Sequence, residues 1–275
     1  MPARISASDR FATLGDGIIH ALLLAVFALE AGAVTDTFQE REYHYKSDKG
    51  ESQVFKYRLL TPEKIEPGKK YPVVLFLHGA GERGDDDQAQ LKYLPTWMAE
   101  PKMRAAYPCF LIAPQVPKDA KWVNAPWDKK TGQPLPEKMS DSMNLAVGIL
   151  DEVIKTEPVD TTRVYLTGLS MGGYGTWDLA ERMPARFAAI VPICGGGDDT
   201  KADRLVGVPL WCWHGDADPV VPVERSRQMI SAIKRAGGSP KYSELPGVGH
   251  DSWTKAYTDP HGVIPWIFEQ KKAIR

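Results

Sequence analysis

The chain has 275 residues, 43% of them apolar and 25% charged, which suits one sizeable globular domain or two small ones. A formal net charge of −1 gives no broad basic face, so nucleic acid is not expected as a partner. Three cysteines, Cys109, Cys194 and Cys212, each lie in or beside an apolar run; so sparse and odd a count makes no disulfide framework, and buried free thiols are expected. There is no CxxC, HExxH or other Cys/His ligand spacing, so neither a metal nor a cofactor is expected.

The N-terminus reads as an export signal. Arg4 and Arg10 supply positive charge, an apolar run extends from Ala21 to Leu29, and Ala31-Gly32-Ala33 follows as a small-residue cleavage pattern. Residues 1–33 are therefore expected to be a signal peptide, leaving 34–275 as one domain, secreted or periplasmic. The run is too short to span a bilayer, and no later segment is longer, so stable membrane insertion is not expected.

Thr37 to Lys46 and Gln53 to Leu60 are rich in Tyr and Phe and flank Ser47-Asp48-Lys49-Gly50, which predicts a β-hairpin. Val73 to Leu77 is apolar without alternation, as a strand buried on both faces must be. Similar runs recur at Cys109–Ala113, Val164–Leu166, Ala188–Ile193 and Pro209–Trp213. Between them lie helical patterns. Met143, Val147, Leu150 and Ile154 share one helix face behind Ser140 and Asp141 as caps, and Pro222 to Ala236 ends at Gly237-Gly238. Strands alternating with helices predict an α/β fold with a mostly parallel sheet, covered on both faces, behind an antiparallel N-terminal hairpin. The stretch Lys118 to Lys138, with three prolines and two tryptophans, is the expected wall or lid.

Gly168-Leu169-Ser170-Met171-Gly172 follows the buried strand and precedes a helical segment from Gly173 to Arg182. Strand, sharp turn and helix is the setting in which a GxSxG serine stands clear of the sheet edge as a nucleophile. A serine hydroxyl needs a base, and the fold orders its triad Ser, then Asp or Glu, then His. Of the three downstream histidines, His250 lies in the glycine-rich loop Pro246 to Asp251 after a strand-like Lys241 to Leu245. His214 ends a buried strand and reads as a structural turn residue; His261 adjoins a helix start and reads as solvated. For the acid, Asp218, stiffened by Pro219, is favoured over Asp216, which would shape the loop, and over Asp251, adjacent to His250. The oxyanion donors are expected to be the backbone N–H of Met171, at a helix N-terminus, and that of Ala80 in Leu77-His78-Gly79-Ala80-Gly81, with Gly79 and Gly81 as near alternatives. Trp122, Trp127 and Trp253 are candidates for a substrate-binding wall, with Trp177 a further one. Gly79 to Gly84 also spells GxGxxG, but Glu82 and Asp85-Asp86-Asp87 would repel a pyrophosphate and the preceding hairpin does not suit a nucleotide fold.

Taken together, Leu77 to Gly84, Val164 to Trp177 and His214 to Pro222 resemble α/β-hydrolase esterases related to polyhydroxybutyrate depolymerases and feruloyl esterases, also labelled carboxylesterase/phospholipase or predicted peptidase. The resemblance runs from about Tyr43 to the C-terminus. It implies an α/β-hydrolase fold and a serine hydrolase that cleaves carboxylic esters through Ser170, Asp218 and His250 without a cofactor. The implied substrates are small-molecule or polysaccharide-linked esters. A serine peptidase or a carbohydrate acetyl esterase on the same fold are the alternatives. With three cysteines the chain departs from the cysteine-richer secreted depolymerases, which speaks against a polymer substrate.

Overall fold

The computed structural model describes residues 35–46, 52–127, 129–132 and 134–273. The expected signal peptide and the expected hairpin turn at 47–50 lie outside them. By internal contacts the chain forms two units, Met1–Thr37 and Phe38–Arg275. In the first, the described residues 35–37 form a helical turn.

The second unit is built on an eight-stranded sheet in the order β1-β2-β4-β3-β5-β6-β7-β8. Strands β1 (Gln39–Lys46) and β2 (Ser52–Leu60) pair antiparallel, with Gln39 opposite Leu59 and Lys46 opposite Ser52. Strand β2 also runs antiparallel to β4 (Phe110–Pro114). From there the sheet is parallel through β3 (Tyr71–Leu77), β5 (Val159–Leu169), β6 (Ala189–Ile193), β7 (Trp211–Gly215) and β8 (Lys241–Leu245). Every residue of β3, β4 and β6 is buried, as continuous apolar strands covered on both faces require.

Seven α-helices flank these strands among the described residues: α1 (Leu94–Ala99), α2 (Pro101–Ala106), α3 (Asp141–Thr156), α4 (Met171–Arg182), α5 (Glu224–Arg235), α6 (Trp253–Thr258) and α7 (Val263–Glu269). Helix α3 starts where Ser140 Oγ accepts the Met143 N–H at 3.1 Å, and it buries Met143, Ala146, Ile149, Leu150 and Val153 in the core. All three thiols are buried and outside any disulfide. None of the described helices is long and apolar enough to cross a membrane.

Two glycines fix how closely α4 meets the sheet. A Cβ on Gly168 would lie 2.6 Å from the Leu77 carbonyl oxygen, and one on Gly172 would overlap that same carbonyl. The obstruction is backbone, which cannot swing aside. Gly172→Ala is therefore expected to cost about 3 kcal/mol. That corresponds to a fall in Tm of roughly 6–12 °C for a domain of this size. Thermal melting checks it, and a variant melting within about 2 °C of wild type contradicts the close approach.

Candidate active site

Strand β5 runs straight into α4 through one residue, Ser170, held at φ 55° and ψ −116°. Such a backbone is costly for any residue bearing a side chain and persists only where the surroundings enforce it. Here the Ser170 N–H is tied to the Ile193 carbonyl at 3.0 Å, and its carbonyl accepts from Tyr174 N–H at 3.1 Å. The turn leaves the hydroxyl at the C-terminal edge of the parallel strands, where α/β sheets place their sites.

There Ser170 Oγ lies 2.9 Å from His250 Nε2, although the two are 80 positions apart. His250 Nδ1 lies 2.7 Å from Asp218 Oδ2. The carboxylate only accepts, so Nδ1 carries the imidazole proton and Nε2 is free to accept from the serine. His250 is partly open to solvent, with 21% of its side chain exposed, whereas the Asp218 side chain is fully buried.

Asp218 is held from both oxygens. Oδ1 accepts the backbone N–H groups of Val220 and Val221 at 2.8 and 2.9 Å. Oδ2 faces His214 Nε2 at 3.2 Å as well as His250. Burial alone would raise this carboxyl; the hydrogen bonds from His214, His250, Val221 and Val220 outweigh it and hold the group well below the usual carboxylate range. Asp216 lies apart from the imidazole and instead accepts Gly247 N–H at 2.7 Å, bracing the loop that carries His250. Asp251 accepts from Thr254 and starts α6. His214, which ends β7, is buried; its Nε2 also meets the Val221 carbonyl at 3.0 Å and its Nδ1 meets Ser226 Oγ at 2.7 Å. His261 is exposed.

Met171 opens α4, so its N–H has no intrahelical acceptor and sits at the positive end of the helix dipole. Ala80 opens a 3₁₀ turn, Ala80–Glu82, directly after β3. Below that turn lies a lock built on His78. Its Nε2 accepts Val116 N–H at 3.0 Å, its Nδ1 faces the Gly79 carbonyl at 2.6 Å, and its own carbonyl accepts Trp122 Nε1 at 2.9 Å. Burial pushes the His78 imidazole down to about 4, which keeps Nε2 an acceptor.

A cavity of about 270 Å³ opens beside Ser170 and His250, floored by Leu169 and the Gly79–Glu82 turn. Its walls are Tyr93, Trp127, Val220 and Trp253. Trp253 stands edge-on to the His250 ring at 5.3 Å and packs against Tyr93 at 5.4 Å. Two of the expected wall tryptophans thus reach the cavity, and Trp122 does not. Trp122 is only 1% exposed because its indole N–H is spent inside the fold on His78. Trp177 is likewise fully buried. Tyr93 and Glu82 were not foreseen as lining. Tyr93 belongs to no periodic segment and takes φ 66°, and Glu82 is buried, which raises its carboxyl.

Cys194 Sγ, Asp218 and His250 offer donor atoms within 4.8 Å of one another. Two of those donors already bond each other, and burial pushes the Cys194 thiol far from the thiolate that a metal requires.

Comparison with known proteins agrees with this architecture. The mouse (Mus musculus) lysophospholipase-like protein 1 is 26% identical over 197 residues, 67% of this chain and 82% of that one. A probable feruloyl esterase C of Aspergillus niger is 25% identical over 210 residues, 75% of this chain and 70% of that one. The crystal structure of a thermostable esterase superposes with a TM-score of 0.77 at 35% identity; the match covers 87% of this chain and 64% of the esterase, less than two thirds of its length. Residues 63–260 match the phospholipase/carboxylesterase family over well over half the chain. On that match, and on a sheet and serine turn of the kind described, the chain belongs to the phospholipase/carboxylesterase family, an esterase family of the α/β-hydrolase fold.

Proposed function

We propose that this protein is a serine esterase that hydrolyses carboxylic esters through an acyl-enzyme, with short or aromatic acyl groups seated in the Tyr93–Trp127–Trp253 cavity. The observation that carries this reading is the hydrogen-bonded chain from Ser170 through His250 to Asp218 beside that cavity. In it, His250 Nε2 takes the hydroxyl proton as Ser170 Oγ attacks the ester carbonyl carbon. Asp218 holds the imidazole tautomer and stabilises the imidazolium that forms. The carbonyl oxygen gains negative charge and is met by the N–H groups of Met171 and Ala80. His250 then returns its proton to the departing alcohol. Water, deprotonated by His250, attacks the acyl carbon; the acyl–Oγ bond breaks, His250 returns that proton to Ser170 Oγ, and the acid is freed. Each proton taken is given back, and no cofactor enters.

Aromatic walls favour planar acyl groups, because flat rings stack and edge-pack at little conformational cost. The test is a panel of p-nitrophenyl acetate, longer p-nitrophenyl esters, methyl ferulate, an acetylated sugar and a peptide p-nitroanilide. Ester hydrolysis with the anilide far slower is expected. An enzyme that prefers the anilide is a peptidase and contradicts the reading. In the same reading residues 1–33 direct export, which rests on the Ala21–Leu29 run ahead of Ala31-Gly32-Ala33. N-terminal sequencing of the exported protein should begin at Val34; an intact Met1 would contradict it.

A further inference from the structure

Beyond the wall residue Trp127, the described residues from Lys130 onward are held mainly from elsewhere in the fold. Among the described residues from Lys130 to Met139 no backbone-to-backbone hydrogen bond forms. Side chains from elsewhere grip this segment instead. Gln228, on α5, uses both ends of its amide: Nε2 donates to the Lys130 carbonyl at 3.0 Å, and Oε1 accepts Gly132 N–H at 2.7 Å. Arg225, one helical turn earlier and 3% exposed, donates from Nη1 to the Thr131 carbonyl at 2.6 Å and from Nη2 to Gly197 at 3.2 Å.

Further along, Asp198 accepts Leu135 N–H at 3.2 Å, and Leu135 itself is buried in the core. Arg182, at the end of α4, donates to the Pro136 and Glu137 carbonyls. At the front, Tyr174 Oη donates to the Trp127 carbonyl at 3.2 Å, and the Arg225 guanidinium lies over the Tyr174 ring at 5.7 Å. Lys121 caps the Trp127 ring at 4.3 Å.

This pattern matters for the cavity. A segment without a backbone ladder takes its position from the side chains that hold it, and local opening is cheap wherever such grips are few. The grips here arise from α4, which follows Ser170 directly, from α5, and from Asp198 in the stretch after β6. We infer that Gln228 and Arg225 are specificity-setting positioning residues: by strapping 130–132 to α5 they fix Trp127 as the cavity wall, and so fix which acyl groups fit. Neither lines the cavity. The inference rests on the esterase reading for its effect on substrates, but not for the strap itself.

Gln228→Ala removes both amide grips from a half-buried position. Trypsin cleavage after Lys130 in the folded protein reads the grip without any activity, and is expected to quicken on the order of tenfold. In kinetics, KM for p-nitrophenyl benzoate is expected to rise on the order of fivefold, the scale of one or two hydrogen bonds, with kcat for that ester held within about twofold. The same change is then made in Trp127→Ala. If Gln228 acts through the indole, its effect on KM vanishes there. Unchanged cleavage at Lys130 overturns the strap. A KM effect that survives in the Trp127→Ala background, or a fall in kcat with KM unmoved, overturns the role in specificity. Ser170→Ala run in parallel separates the two readings: unimpaired hydrolysis there discards the triad, while the cleavage result still decides the strap.

Discussion

Ser170→Ala is expected to lower ester turnover by about a millionfold while leaving the fold intact. The fold should survive because, among the described residues, the serine's side chain bonds only to His250, and alanine meets the same backbone strain at φ 55° that serine already meets. In the proposed mechanism the loss is large because every later step depends on the acyl-enzyme that the hydroxyl forms. What remains would come from the proposed N–H donors of Met171 and Ala80 and from the cavity, and is expected to be far from zero. Single-turnover and steady-state rates on p-nitrophenyl acetate measure it. A variant retaining near-normal hydrolysis would place the chemistry elsewhere.

Asp218→Asn is expected to lower kcat by about ten-thousandfold, and the geometry supplies the reason. Val220 and Val221 both point N–H groups at the Oδ1 position, so an asparagine must put its oxygen there. Its amide nitrogen then occupies the Oδ2 position, 2.7 Å from His250 Nδ1. Two donors cannot face each other, so His250 must accept at Nδ1 and carry its proton on Nε2. That proton faces Ser170, and the imidazole can no longer act as base. Asp216→Asn provides the contrast. Its oxygen can still accept Gly247 N–H, so kcat should change by no more than about twofold, as for a surface substitution. Rates for the two variants side by side decide between the carboxylates, and equal losses would contradict the assignment to Asp218.

The fold was legible where its elements were long or continuous. The buried runs at Val73–Leu77 and Ala188–Ile193 have no polar alternation to confuse them, and both are strands. The helix face of Met143 and Leu150 and the Ser140 cap gave α3 within a residue or two. Helices α1, α2 and α6 went unseen because each has six residues, under two turns, too few for a helical period to repeat. The first half of β5 was missed for another reason. Asp160 and Thr162 lie outside the apolar run because they are polar, and in the structure Asp160 bonds Thr162 and Arg163 within an extended chain.

At the site, chain order and glycine spacing single out Ser170, Asp218 and His250, which the structure places within hydrogen-bond distance, Ser170 to His250 and His250 to Asp218. The walls were harder. A tryptophan's sequence context does not say which way it faces: Trp122 and Trp127 lie in one irregular stretch, yet one turns its indole N–H into the His78 lock and the other faces the cavity. Gln228 and Arg225 gave no signal at all, since their partners are carbonyls and amides of a distant segment.

The pairing of a nucleophilic serine with its imidazole is tested most directly by reacting the protein with a fluorophosphonate and mapping the adduct by mass. Trypsin releases Val164 to Arg182 as one peptide with Ser170 as its only serine. One phosphonyl group per chain on Ser170, with hydrolysis lost in step, is the result expected. An adduct on another residue, or no adduct in protein that still cleaves esters, would contradict the account.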